Sequence, residues 1–122
     1  MVSVADMARH VADICARDEI YLEFRYSRPW KSWCLSDSKH VCTAPIRSVI
    51  SYATALHEIG HIKGPYQQSR YEIAWEIGAW EWARSNALIR TPRMEAMARA
   101  RMEWHEQEVR EGRGVVLSAD EC

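Results

Sequence analysis

This sequence lacks an excess of charge, a long apolar run, a paired-cysteine motif and any obvious linker, and each absence excludes something. Sixteen Lys and Arg offset 17 Asp and Glu, leaving a formal net charge of -1. Non-specific nucleic-acid binding draws on an excess of basic charge that releases counterions from phosphates, so nucleic acid is not an expected partner. Arg is denser in residues 84–113, but Glu is interleaved with it there, the pattern of a solvated helix face. No stretch approaches the ~18 apolar residues that cross a bilayer, so no membrane partner is expected. The opening Met-Val-Ser-Val-Ala-Asp begins a helical pattern rather than the apolar core of a secretory leader. The four Cys (Cys15, Cys34, Cys42 and Cys122) form no CxxC pair, and without a leader the expectation is a cytoplasmic chain with reduced thiols. Cys34, His40 and Cys42 lack zinc-finger spacing and an evident fourth ligand. Only five Gly and four Pro punctuate 122 residues. With no repeat or low-complexity segment, a single domain over residues 1–122 is expected, with residues 112–122 as a C-terminal tail.

The aromatic content is lopsided: six Trp and a single Phe. In a chain short enough that buried area per residue is limited, large rings can fill a small core. Trp75, Trp80, Trp82 and Trp104 are read as that filling.

Hydrophobic periodicity gives an α+β pattern. Residues 3–17 recur at helical spacing behind a Ser3/Asp6 capping box. Residues 19–26 alternate as a half-buried strand, residues 30–35 form a second short strand, and residues 40–43 a third, placed at a sheet edge. A long helix is expected from Pro45 to about Lys63, apolar on most sides and therefore central, and stopped by Gly64-Pro65. Two more helices follow: residues 70–89, and a last one capped by Thr91-Pro92 that ends near Gly112. A short strand is expected at residues 115–117 within the tail.

The central helix carries Ala55-Leu56-His57-Glu58-Ile59-Gly60-His61, a match to H-E-x-x-H. Residues four apart lie one turn apart on one helix face, so His57 and His61 can aim at one point, and imidazole is a good zinc ligand. Glu58 is offset by ~100° on the helical wheel. That sets it beside a bound Zn²⁺, placed to take a proton from water whose pKa the ion lowers. The plainer reading is two helical His beside a solvated acid, and the burial expected of this helix argues against it.

A catalytic zinc normally has three protein ligands. The helix after the motif offers Glu72, Glu76, Ala79 and Ala83 along one stripe. Its small residues allow close approach to the His helix, and its acids then reach the metal. Glu76 suits the intervening loop better as the third ligand. Glu72 is the alternative, as ligand or as hydrogen-bond partner of a ligand His. Tyr66, Tyr71 and His105 are candidate donors to a developing oxyanion, although His105, set among Glu103, Glu106 and Glu108, also reads as a solvated helical His.

The segment His57-Glu58-Ile59-Gly60-His61 and the later Glu76-Ile77-Gly78-Ala79-Trp80-Glu81-Trp82-Ala83 together resemble the gluzincin-like metallopeptidases of the ImmA/IrrE type and the peptidase domain of ArdC-type antirestriction proteins. The likeness covers residues 48–88. It implies a minimal zincin-like fold with a small twisted sheet beside the HExxH helix, and it aligns Glu76 with the third zinc ligand. Trp80 departs from the pattern, standing where those families often carry Asn or Asp. The implied activity is a zinc-dependent hydrolysis of a peptide or protein substrate, with Glu58 as general base and residues 40–43 as the strand that pairs with an extended substrate. The alternative is a zinc-bearing binding module of a phage or mobile element with little turnover, acting on a host protein or in antirestriction. Oligomeric state is not legible.

Overall fold

A computed structural model describes residues 1–25 and 32–112. Its elements run α1 (Val4–Arg17), β1 (Tyr21–Phe24), β2 (Trp33–Leu35), β3 (His40–Thr43), α2 (Val49–Lys63), α3 (Glu72–Asn86) and α4 (Pro92–Arg110). The fold is α+β, four helices and a small mixed sheet, as the periodicity predicts. The start of the second expected strand and the expected strand at 115–117 lie outside the described residues.

The caps explain where the helices begin. Ser3 and Asp6 bond reciprocally at the start of α1, and Thr91 accepts from the Met94 N–H ahead of Pro92 at the start of α4. The central helix starts later than Pro45. Ser48 accepts from the Ser51 N–H while the Ser51 hydroxyl accepts from the Ser48 and Arg47 N–H groups. This Ser-x-x-Ser arrangement satisfies amide donors that would otherwise be orphaned, and it outweighs Pro45 as the start signal. The third helix is also shorter than expected. Tyr71 precedes it without a side-chain cap, and Ala87 ends it in extended conformation.

The sheet corrects one expectation. Strand order is β1-β3-β2, with β1 parallel and β2 antiparallel to β3. Residues 40–43 therefore form the central strand, not an edge. Burial is the reason: Val41, Cys42 and Thr43 are all enclosed, against Tyr21, Phe24 and Leu35, which are exposed on the outer strands. A strand covered on both sides gains most from two hydrogen-bonded neighbours, because any unpaired backbone group there would be cut off from water.

The core is organised around α2. Tyr52, Ala55, Leu56 and Ile59 are fully buried, packed with Met7, Val11 and Ile14 of α1, Val41 of β3, Trp80 and Ala83 of α3, and Met94 and Ala98 of α4. The tryptophans divide: Trp80 is buried, Trp75 and Trp82 are half-buried, and Trp104 is 59% exposed. Trp104 is thus not core filling: α4 turns Met94, Ala98 and His105 inward along one line, and Trp104 sits about 100° off that line on the helical wheel. No helix among the described residues is long and apolar enough to cross a membrane.

Two close approaches fix α3 against α2 and the loop between them. A Cβ added to Gly60 would fall 2.4 Å from the Ala79 carbonyl oxygen, and one added to Gly78 would fall 1.8 Å from that of Pro65. Neither contact admits a side chain. Ala79 and Ala83 are buried at this seam, the role expected of the small residues in the stripe.

Candidate metal centre

The helical spacing on α2 brings His57 and His61 together edge to face, with ring centroids 4.7 Å apart. Across the glycine-lined seam, α3 brings in Glu76. His57 Nε2 lies 3.1 Å from Glu76 Oε1, and His61 Nε2 lies 2.7 Å from Glu76 Oε2. One donor atom from each of these residues lies within 4.8 Å of the other two. Among the described residues this is the group able to hold a metal ion. Glu72 stands outside it. It is the first residue of α3 and half-buried, whereas Glu76 is one turn deeper and buried, close to the point where Ala79 meets Gly60.

The electrostatics suit a cation. Burial alone would raise the Glu76 carboxyl pKa, but hydrogen bonds from His105, His57 and His61 outweigh it and hold the group ionised. For His61, burial disfavours the charged form, yet the hydrogen bond and charge of Glu76 raise its pKa overall. Glu58 behaves oppositely to Glu76. Burial pushes its pKa up, with the charge of Glu76 adding to the rise and His57 and His61 opposing it. Its carboxylate lies 3.7 Å from His57 Nδ1. So two acids share one site with their proton affinities driven apart, one fixed as an anion and the other readier to carry a proton.

Three groups outside the triad hold it in place, and the sequence points to none of them clearly. Trp80 stacks on the His57 ring, with centroids 4.2 Å apart and planes 17° from parallel. The contact sets an aromatic face, not a hydrogen-bonding group, against the His57 ring. Trp80 keeps that position although its indole N–H is buried with no hydrogen-bond partner among the described residues, an arrangement that typically costs about 1–3 kcal/mol. Gln67, in the loop between α2 and α3, places Oε1 3.1 Å from His61 Nδ1. His105 reaches back from α4, with Nε2 3.2 Å from Glu76 Oε1. It is therefore not merely a solvated helical residue. Tyr66 and Tyr71 are 54% and 45% exposed and make no hydrogen bond to the triad. The only signal for His105 was its residue type, since its spacing from the motif carries no periodicity.

A cleft of about 360 Å³ opens at the site, lined by Cys34, Ser36, Glu58, His61, Gln67 and Trp75. A smaller cavity, about 40 Å³, is lined by Ser32, Thr54, His57, Glu58, Trp80, Met97 and Arg101. Glu58 thus borders both. The Ser36 hydroxyl donates to the His61 carbonyl at 3.3 Å, which ties the turn after β2 to the helix that carries both histidines. Cys15, Cys34 and Cys42 are free thiols, and Cys34 faces the cleft with its pKa pushed up to about 11, chiefly by burial. The chain matches no protein-family model, no curated protein and no solved structure, so its function is read from this geometry.

Proposed function

We propose that the chain is a zinc-dependent peptidase-like hydrolase, with His57, His61 and Glu76 as the metal-holding residues and Glu58 as the general base. The observation that carries this reading is the convergence of two imidazole Nε2 atoms and one ionised carboxylate, from two helices, beside a second buried acid of opposite tendency. Two imidazoles and a carboxylate are one of the donor sets of catalytic zinc sites, whereas structural sites close the sphere with four protein ligands, mostly thiolates. When bound, zinc acidifies water and polarises a carbonyl.

The residues then have separate tasks. Glu58 accepts a proton from the attacking water and returns it to the leaving amine. Its raised pKa suits it to both transfers. Trp80 and Gln67 keep the imidazoles aimed, and His105 steadies Glu76. The substrate enters through the cleft bounded by Cys34, Gln67 and Trp75. Because β3 is central, an extended peptide would add to an outer strand instead, and β2 is the outer strand that contributes Cys34 to the cleft wall.

Glu58→Gln tests the reading. It keeps the shape of the site and removes the base, so the variant is expected to bind zinc as the parent does and to lose hydrolysis of an unstructured peptide mixture. A variant that still cleaves as fast as the parent would overturn the assignment of Glu58. A parent chain that holds zinc yet cleaves nothing, with a biological effect unchanged in Glu58→Gln, would favour the binding module.

A further inference from the structure

Gln67 lies six residues beyond His61, in the loop that joins the two ligand helices. Its amide is bonded at both ends. Nε2 donates to the Pro65 carbonyl at 3.0 Å and to the Trp75 carbonyl at 2.8 Å. Oε1 faces His61 Nδ1 at 3.1 Å.

Those contacts leave the amide one orientation. Turning it over would set Oε1 against two carbonyl oxygens, neither of which has a proton to offer, and would point an NH₂ group at His61. With the amide so held, the atom facing His61 is an acceptor, and His61 Nδ1 must carry a hydrogen to satisfy it. The other ring nitrogen, Nε2, points at Glu76. A competing pull exists, because the Glu76 carboxylate attracts a proton to Nε2, and a charged acceptor draws more strongly than an amide oxygen. A single proton left to itself would move to the wrong side of the ring for metal binding. Gln67 opposes that move.

The surroundings are shaped to this contact. A Cβ on Gly78 would sit 3.0 Å from the Gln67 Nε2, as well as colliding with the Pro65 carbonyl. The absent side chain at position 78 thus leaves the space in which the glutamine lies. The two carbonyls it joins come from the loop and from the first turn of α3, so the same amide anchors the loop to the helix that supplies Glu76.

We infer that Gln67 is a positioning residue that keeps the His61 proton on Nδ1, so that the Nε2 lone pair is the one presented to the metal. The inference deepens the zinc-site reading and rests on it for its purpose, but the hydrogen bond itself is present with or without metal. Partners of this kind typically change metal affinity about 10–100-fold when removed.

The test reads the ring proton directly. The full chain is labelled with ¹⁵N histidine, and the His61 ring is assigned by the signal that disappears in His61→Gln. In the metal-free chain, at a pH high enough that the ring carries a single proton, a solvent-protected Nδ1–H is expected for His61. Gln67→Leu should abolish that signal and weaken zinc binding, measured by competition with a chromophoric chelator, by about 10–100-fold. Gln67→Glu, which keeps an acceptor oxygen but loses both amide donors, should retain the Nδ1–H signal even if the loop loosens. A folded Gln67→Leu chain with the protected signal intact and zinc affinity within about twofold of the parent would overturn the inference. A parent that binds no zinc but shows an Nδ1–H lost in Gln67→Leu would refute the metal centre while upholding the contact.

Discussion

Gly60 of α2 and Ala79 of α3 meet backbone to backbone, with space for no side chain at Gly60. That contact sets the separation of the helix that carries both histidines from the helix that carries Glu76. In an ordinary helix interior, Gly to Ala is stabilising by up to about 1 kcal/mol. Here Gly60→Ala forces a methyl group to within 2.4 Å of a carbonyl oxygen, and overpacking of this kind typically costs about 1–3 kcal/mol. The expected outcome is net destabilisation in urea unfolding together with weaker zinc binding, since the helices must part. A Gly60→Ala chain that is more stable than the parent would show that the seam is looser than described.

His105 and Glu76 join α4 to the site. Removing the imidazole in His105→Ala takes one of three hydrogen bonds from the Glu76 carboxylate but leaves both ligand histidines. Zinc should therefore bind about 10–100-fold more weakly rather than be lost. Isothermal titration distinguishes this from complete loss, which would make His105 a ligand in its own right.

Tyr52 is fully buried, and its hydroxyl accepts from the Leu88 N–H at 2.9 Å while lying 2.7 Å from His10 Nδ1. Tyr52→Phe removes the hydroxyl and strands both partners, at a cost of about 1–3 kcal/mol in chemical unfolding. Burial lowers the His10 pKa below its ordinary 6.5. The folded state therefore favours neutral His10. Its contribution is present above about pH 6.5 and is lost as acid protonates the unfolded chain first. The parent should lose some stability as pH falls below that point, and His10→Gln should lessen the loss.

Cys15 is buried at 3% exposure, and burial, aided by the charge of Asp18, raises its thiol pKa from 9.0 to about 11. The neutral thiol is favoured only in the folded chain. Its contribution is intact below pH 9.0 and declines as pH rises towards about 11, because the unfolded thiol ionises first. Cys15→Ala should flatten the parent's stability profile across that range. Native Cys15 should also resist alkylation at neutral pH, where little thiolate exists to react.

The motif on α2 was legible because helical spacing alone puts His57 and His61 on one face, and no tertiary information is needed to see it. Glu76 was legible in part, since the Glu-x-x-Ala stripe indicates which side of α3 faces α2. The choice against Glu72 rested on the length of the intervening loop and on the resemblance that aligns Trp82-Ala83, because no period in α3 separates two acids one turn apart on the same stripe. Gln67 and His105 were not singled out as partners of the ligands. They approach from a loop and from a separate helix, and no period in the sequence connects either to the site. The sheet order was misread for a related reason. Short strands of three or four residues carry too little alternation to say which one is flanked on both sides. Trp104 was placed inside on residue type, yet it lies off the face of α4 that turns Met94, Ala98 and His105 inward.

The most direct measurement of the central claim is the zinc content of the purified full chain, compared with His57→Ala, Glu76→Ala and Glu72→Ala. The geometry predicts about one zinc per chain in the parent and in Glu72→Ala, with His57→Ala and Glu76→Ala both depleted, as a three-residue site requires. Loss in Glu72→Ala with retention in Glu76→Ala would move the third ligand to the start of α3. A parent that takes up no metal when zinc is supplied would contradict the account and leave His57, His61 and Glu76 as a buried hydrogen-bonded cluster.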